Sequence, residues 1–312
     1  MSLRVIFMGT PEFSLSSLEA LHNHSAVELL LVVTRPDAPQ GRGLKLVESP
    51  VKHLAENLRI PVSTPSKIND PEFVKSLQDL KPDLILTVAF GLFLGSAILK
   101  IPQSGCLNIH ASILPKYRGA SPIQRAIING ESETGLTVFR IVKEMDAGDI
   151  LMQEKLSISA DETAGELHDR LGRLASVVTQ KTIDAVLSGK ETYTPQAHEK
   201  ATFAPKLKKE DGHINWDQEA KDVFNQIRGV TPWPGAYGSY QGARLKFHRT
   251  RVLEADQTFR AGTIIKADDA GICVGCRKGQ IVIDELQMAG GRLLRAQEFL
   301  CGHNIKPGDI IQ

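Results

Sequence analysis

Asn108 and His110 stand two apart inside the apolar run Leu107 to Ile113. Strand side chains alternate between faces, so in a strand this spacing sets an amide beside an imidazole on one face. An amide donor next to an imidazole can polarise a carbonyl and carry a proton, the least equipment that acyl transfer needs. Asp146 follows in a glycine-containing turn, Met145 to Gly148, between two further apolar runs. A carboxylate there can orient the imidazole and stabilise its charged form. The same residues also suit a buried strand with a satisfied histidine and a turn-forming aspartate, and spacing alone leaves both readings open.

The elements that must position these residues alternate between strand and helix patterns. Short apolar runs at Arg4 to Met8, Val27 to Val33, Asp83 to Ala89 and Leu107 to Ile113 predict buried strands, with Pro61-Val62 as a shorter one. Helical spacing is predicted over Glu12 to His22, Lys52 to Leu58 and Glu72 to Leu80. That alternation indicates a doubly wound α/β domain with a parallel sheet, whose ligand lies beyond the strand carboxyl ends. The turn after the first strand, Gly9-Thr-Pro-Glu-Phe, lacks the later glycines of a dinucleotide fingerprint, which disfavours a nicotinamide cofactor. No phosphate-binding G-x-x-x-x-G-K-[ST] occurs either.

A long helix is predicted over Asp161 to Leu187, and the polar, proline-containing stretch after it suits a linker. Beyond that, a helix over Asp217 to Arg228 precedes short alternating runs: Ala236 to Tyr240, Arg244 to His248, Gly262 to Lys266, Gly271 to Cys276 and Gln280 to Leu286. Turn signals at these intervals fit a small Greek-key β-barrel of the OB type. The expected division is therefore 1–189, a linker at 190–205, and a barrel domain at 206–312.

Composition narrows the function classes. In 312 residues, 42% hydrophobic and 23% charged content describes a globular chain, and the length suits two domains. Apolar runs fall short of the roughly 18 residues of a membrane span, and the start reads as a strand and not a signal peptide. Cytoplasm is the expected compartment. A net charge of +1 makes no bulk case for nucleic acid, although the part from Lys206 onward is mildly positive. Cys273 and Cys276 have a zinc-like spacing, but they sit in apolar alternation where residues three apart face opposite ways, so they read as core fillers and no metal is expected.

Longer strings join these pieces. Asn108-x-His110, Ser112-Ile113-Leu114-Pro115, the run Tyr117-Arg118-Gly119-Ala120-Ser121-Pro122-Ile123-Gln124 and the later Asp146 resemble the 10-formyltetrahydrofolate-dependent formyltransferases. Phe7-Met8-Gly9-Thr10-Pro11-Glu12-Phe13 and Thr231-Pro-Trp-Pro-Gly-Ala-Tyr237 are similar to the branch of that family acting on initiator methionyl-tRNA. The resemblance runs from Arg4 to the end of the chain. It implies Asn108, His110 and Asp146 as the catalytic trio, with His110 either taking the amine proton or, when protonated, donating to the oxyanion. It further implies 10-formyltetrahydrofolate as co-substrate, held by Ser112, Ile113, Leu114 and Pro115, with Phe90, Gly91 and Leu92 as the pterin wall. Arg42, Lys45 and Lys206 are the implied tRNA contacts, Arg42 and Lys45 lying in the basic loop Arg35 to Lys45. A monomer with a folate and a tRNA as partners, away from membranes, is expected. Two other readings stand beside it: transfer to a small amine such as an amino-sugar nucleotide, and a tRNA-binding module without catalysis, which the intact trio disfavours.

Overall fold

The computed structural model describes residues 2–40, 45–253 and 256–312. The chain forms two compact units. The first comprises Met1–Ala120, Thr134–Leu156 and His168–Ala204, and the second Ser121–Glu133, Ser157–Leu167 and Pro205–Gln312.

The first unit is built on a seven-stranded sheet. Its spatial order is Ile150–Ser157, Glu133–Arg140, Cys106–His110, Leu84–Val88, Leu3–Gly9, Val27–Val33 and Val62–Ser63. The last five are mutually parallel. Their chain order reads 3-2-1-4-5 across the sheet, so the direction of winding reverses between Leu3–Gly9 and Leu84–Val88. A crevice opens at the carboxyl ends of strands where such a reversal occurs, and that is where ligands bind in open α/β sheets. Leu84–Val88 is buried throughout, as expected of a strand covered on both faces. Helices start where the chain offers caps: Ser49 accepts from the Lys52 amide ahead of Pro50–Asn57, and Asp70 from the Glu72 amide ahead of Pro71–Asp79. The strand Glu133–Arg140 runs antiparallel to Cys106–His110, an addition to the parallel set that alternation of strands and helices does not disclose.

Two expected boundaries move. The strand read as Leu107 to Ile113 ends at His110, because the carbonyl of Ser112 and the amide of Leu114 are both bonded to the Thr137 hydroxyl, at 2.6 and 3.1 Å. The stretch 190–205, expected as a linker, folds onto the first unit as far as Ala204. Thr194 exchanges backbone hydrogen bonds with Ile150, and Phe203–Ala204 pairs in parallel with Arg118–Gly119. Its polar composition serves long-range hydrogen bonds, which local patterns do not reveal.

In the second unit the antiparallel sheet runs Ala236–Tyr240, Ala243–Leu253, Gln280–Met288, Gly271–Gly275 and Ile264–Asp268, with Leu294–Arg295 added beside Gln280–Met288. Three strands follow one another as hairpins while Ala243–Leu253 lies beside the last of them, which is a Greek key. The tail closes the ring. Ser239 and Gln312 exchange two backbone bonds, while Ile264 donates to Asp309 and Ile311 to Gly262, so the tail bridges the edge strands. Trp216, Val223, Phe247, Val274, Ile283, Phe299 and Ile311 fill the interior. Among the described residues no helix is long and apolar enough to cross a membrane.

Ile311 seals this ring from inside, at 1% exposure. Ile311→Ala should therefore lower the stability of the second unit by about 2–5 kcal/mol, the usual cost of truncating a buried isoleucine. Urea unfolding monitored at Trp216 measures it, and an unchanged midpoint would mean the tail does not close the barrel.

Candidate active site

His110 is the last residue of the fifth parallel strand, so its side chain stands at the carboxyl edge of the sheet, next to the crevice. Asn108 precedes it by two and shares its face. Register places Thr87 on one side of Asn108 and Phe139 on the other. The Thr87 hydroxyl, buried, donates to Asn108 Oδ1 at 2.6 Å. With its oxygen engaged, the half-buried amide keeps its Nδ2 donor without a protein partner among the described residues.

The His110 ring is 7% exposed, and its Nε2 lies 2.9 Å from the carbonyl oxygen of Tyr117. A carbonyl can only accept, so Nε2 carries a hydrogen. In the neutral ring the lone pair is then on Nδ1, which faces Asp146 Oδ2 at 3.8 Å. That is ion-pair range and too long for a hydrogen bond. Phe139 packs edge-on against the ring, with centroids 6.5 Å apart.

Asp146 sits at φ +50°, in the left-handed region that aspartate tolerates better than most residues. Its Oδ2 also accepts the Gly119 amide at 2.8 Å. Tyr117 is left-handed too, at φ +60°, so one tripeptide reaches both catalytic candidates: Tyr117 through its carbonyl, Gly119 through its amide. Thr202 buttresses that tripeptide, accepting the Tyr117 amide on its hydroxyl at 2.9 Å and the Arg118 amide on its carbonyl at 2.9 Å.

The other expected site residues divide. Ser112 is fully buried and its hydroxyl donates to the Lys116 carbonyl at 2.6 Å, while the Leu114 carbonyl accepts from Gln153 at 2.8 Å. Ile113 is half-buried and Pro115 completes this braced exit from the strand. Phe90 is no surface wall: it is 4% exposed and packs in the core with Ile6, Met8 and Leu94. On the same loop Gly91 is exposed at φ +74°, Leu92 is half-buried and Phe93 is 61% exposed. Arg42 lies outside the described residues. Lys45 opens the strand Lys45–Val47, which pairs antiparallel with Ala38–Gln40, so the ends of the expected loop form a ribbon. Lys206 is exposed and lies in the second unit. Cys273 and Cys276 are both buried, and desolvation pushes both thiols up, Cys276 to about 12.

Thr87, Thr137 and Gln153 were not singled out by sequence reasoning. The only signal available was a hydroxyl residue inside a strongly apolar run, as in Leu-Ile-Leu-Thr87-Val, since a buried hydroxyl needs a partner.

Residues 3–183 match the family described as formyl transferase, and residues 206–304 match formyl transferase, C-terminal domain. A methionyl-tRNA formyltransferase from Acetivibrio thermocellus is 45% identical over 310 residues, covering 99% of both chains. Another, from Geobacter sulfurreducens, is 47% identical over 306 residues, covering 98% of this chain and 96% of that one. Among solved structures, an N-formyltransferase from Helicobacter canadensis in complex with folinic acid and dTDP-3-aminofucose shares the fold. Its TM-score is 0.68 and its identity 20%, covering 92% of this chain and all of that one.

Gly148 closes the Asp146 turn where a β-carbon would stand 1.8 Å from the Arg140 carbonyl oxygen. Gly148→Ala should cost roughly 1–3 kcal/mol, the range for overpacking, and displace the turn. A thermal midpoint equal to that of the parent would show that the turn has room to spare.

Proposed function

The chain belongs to the formyl transferase family, and on that premise we propose that it transfers the formyl group of 10-formyltetrahydrofolate to the α-amine of methionine on initiator methionyl-tRNA. The observation that carries this reading is likeness over whole chains, at 45% and 47% identity, to relatives bearing the name methionyl-tRNA formyltransferase. The N-formyltransferase in complex with dTDP-3-aminofucose shares the fold at 20% identity, too distant to support an amino-sugar nucleotide as acceptor.

When bound, the folate supplies an activated formyl carbonyl. Asn108, whose oxygen Thr87 occupies, offers Nδ2 to the oxygen on which charge develops, a contribution of about 3 kcal/mol for one such donor. His110 has its Nε2–H committed to Tyr117, so Nδ1 is the atom that takes the proton of the attacking amine. The imidazolium so formed carries its Nδ1–H toward Asp146, 3.8 Å away, and as the tetrahedral intermediate collapses and the bond from the formyl carbon to the folate N10 breaks, that proton goes to the leaving N10. The carboxylate thereby offsets a charge that appears only during the reaction, which favours the transition state over the ground state.

The residues present suit a folate. Leu92 and Phe93 give apolar surface on the loop after Leu84–Val88, beside the crevice, and the braced Ser112 to Pro115 segment leaves the neighbouring strand. A flat heteroaromatic ring binds against such an apolar wall with a few fixed polar groups. Arg42, Lys45 and Lys206 are assigned to the phosphates of the acceptor end, which position a nucleic acid without reading its sequence.

The deciding assay is formylation of methionyl-tRNA set against free methionine and an amino-sugar nucleotide; preference for either small amine overturns the reading. His110→Ala, Asn108→Ala and Asp146→Asn should each lower kcat by at least about 100-fold with little change in folate affinity, since all three act on the transition state. Near-normal turnover in any one removes that residue from the mechanism. Arg42→Leu should reduce kcat/KM for methionyl-tRNA and leave folate binding unchanged. It should also flatten the log–log salt dependence of tRNA binding by about one unit, the share of one phosphate contact. Parent-like kinetics at every salt concentration would leave the loop without a part in tRNA binding.

A further inference from the structure

Within 190–205, a linker by composition, Gln196 is only 5% exposed. Its Nε2 donates to two carbonyls of the Asp146 turn, that of Asp146 itself at 2.9 Å and that of Gly148 at 2.7 Å. Its Oε1 accepts from Arg118, Nε at 3.2 Å and Nη2 at 2.6 Å. Arg118 is 6% exposed, and its Nη2 also lies 3.1 Å from His198 Nδ1. A guanidinium can only donate, so Arg118 dictates which way the glutamine amide faces: oxygen toward Arg118, both amide hydrogens toward the turn. Arg118 is itself the middle residue of the tripeptide whose ends hold His110 and the Asp146 carboxylate.

An aspartate at positive φ keeps that conformation only where its surroundings over-determine it. Among the described residues the carboxylate accepts one hydrogen bond, from the Gly119 amide, while the turn's backbone is held by the two Gln196 bonds. We infer that Gln196, oriented by Arg118, is a positioning residue that fixes the turn and so sets the Asp146 carboxylate against His110. The kinetic consequence rests on the formyl-transfer reading above; the structural one does not.

Two substitutions in the full chain test this. Gln196→Glu keeps a partner for Arg118 but loses the two donors; Gln196→Met keeps the length and adds no charge. Both should lower kcat for methionyl-tRNA formylation at least tenfold, with KM for 10-formyltetrahydrofolate within twofold of the parent. Combined with Asp146→Asn, either should cost less than twofold more, because the residue it positions is already disabled; independent multiplication of the two losses would overturn the inference. The imidazole of His110, followed by nitrogen NMR in histidine-labelled protein and assigned by its loss in His110→Ala, gives a readout free of activity. Its resonances should move in both Gln196 variants in the direction they move in Asp146→Asn. Resonances identical to the parent would refute the positioning role, even in a protein that proved unable to formylate methionyl-tRNA. Failure of the parent in that assay would strike the function alone.

Discussion

Two backbone groups on either side of Arg118, the carbonyl of Tyr117 and the amide of Gly119, hold the two side chains that must face each other across the site. The carbonyl decides that Nε2 of His110 carries the hydrogen, and thereby that Nδ1 is the ring atom facing Asp146. The amide holds the Asp146 carboxylate on the Nδ1 side. Neither effect depends on a side-chain rotamer of the tripeptide, so the pairing inherits the rigidity of the backbone. That backbone is in turn braced by Thr202 and by the parallel pairing of Phe203–Ala204 with Arg118–Gly119.

Around this anchor the site is assembled from elements with separate tasks. The parallel strand Cys106–His110 sets Asn108 and His110 on one face, and its neighbour Leu84–Val88 contributes Thr87, whose hydroxyl leaves the Asn108 amide with a donor to offer. The antiparallel strand Glu133–Arg140 brings Phe139 against the imidazole and Thr137 under the Ser112 to Pro115 loop. Under the proposed reaction, a donor held in place beforehand needs no reorganisation when charge develops.

The second unit obeys a different constraint. A small antiparallel sheet leaves two edges that invite pairing with other chains. Here residues 309–312 occupy both, and Ile311 fills the space beneath. The long strand Ala243–Leu253 shifts register between Phe247 and Thr250, the kind of bulge that lets a sheet curve toward closure.

What the amino-acid sequence determined by itself was whatever depends on near neighbours along the chain. Period two placed Asn108 and His110 together, and apolar runs marked the strands, although Val27–Val33, read as buried, is buried only at its last two residues. The order of strands and helices was enough to indicate the α/β domain, whereas the turn spacing only fitted a barrel and the family resemblance carried that reading. Tertiary structure alone decided where the strand bearing Asn108 and His110 stops, which nitrogen of His110 faces Asp146, that Phe90 belongs to the core while Phe93 faces outward, and that the polar stretch before Pro205 braces the Asp146 turn. The end of that strand rests on Thr137 reaching Ser112 across 25 positions, and the support from before Pro205 on Arg118 reaching Gln196 across 78 and Tyr117 reaching Thr202 across 85. The His110 nitrogen is set by Tyr117, only seven positions away but held at positive φ. Composition and periodicity report on windows of a dozen residues or so. A hydrogen bond between groups so far apart exists only once the sheet has brought them together.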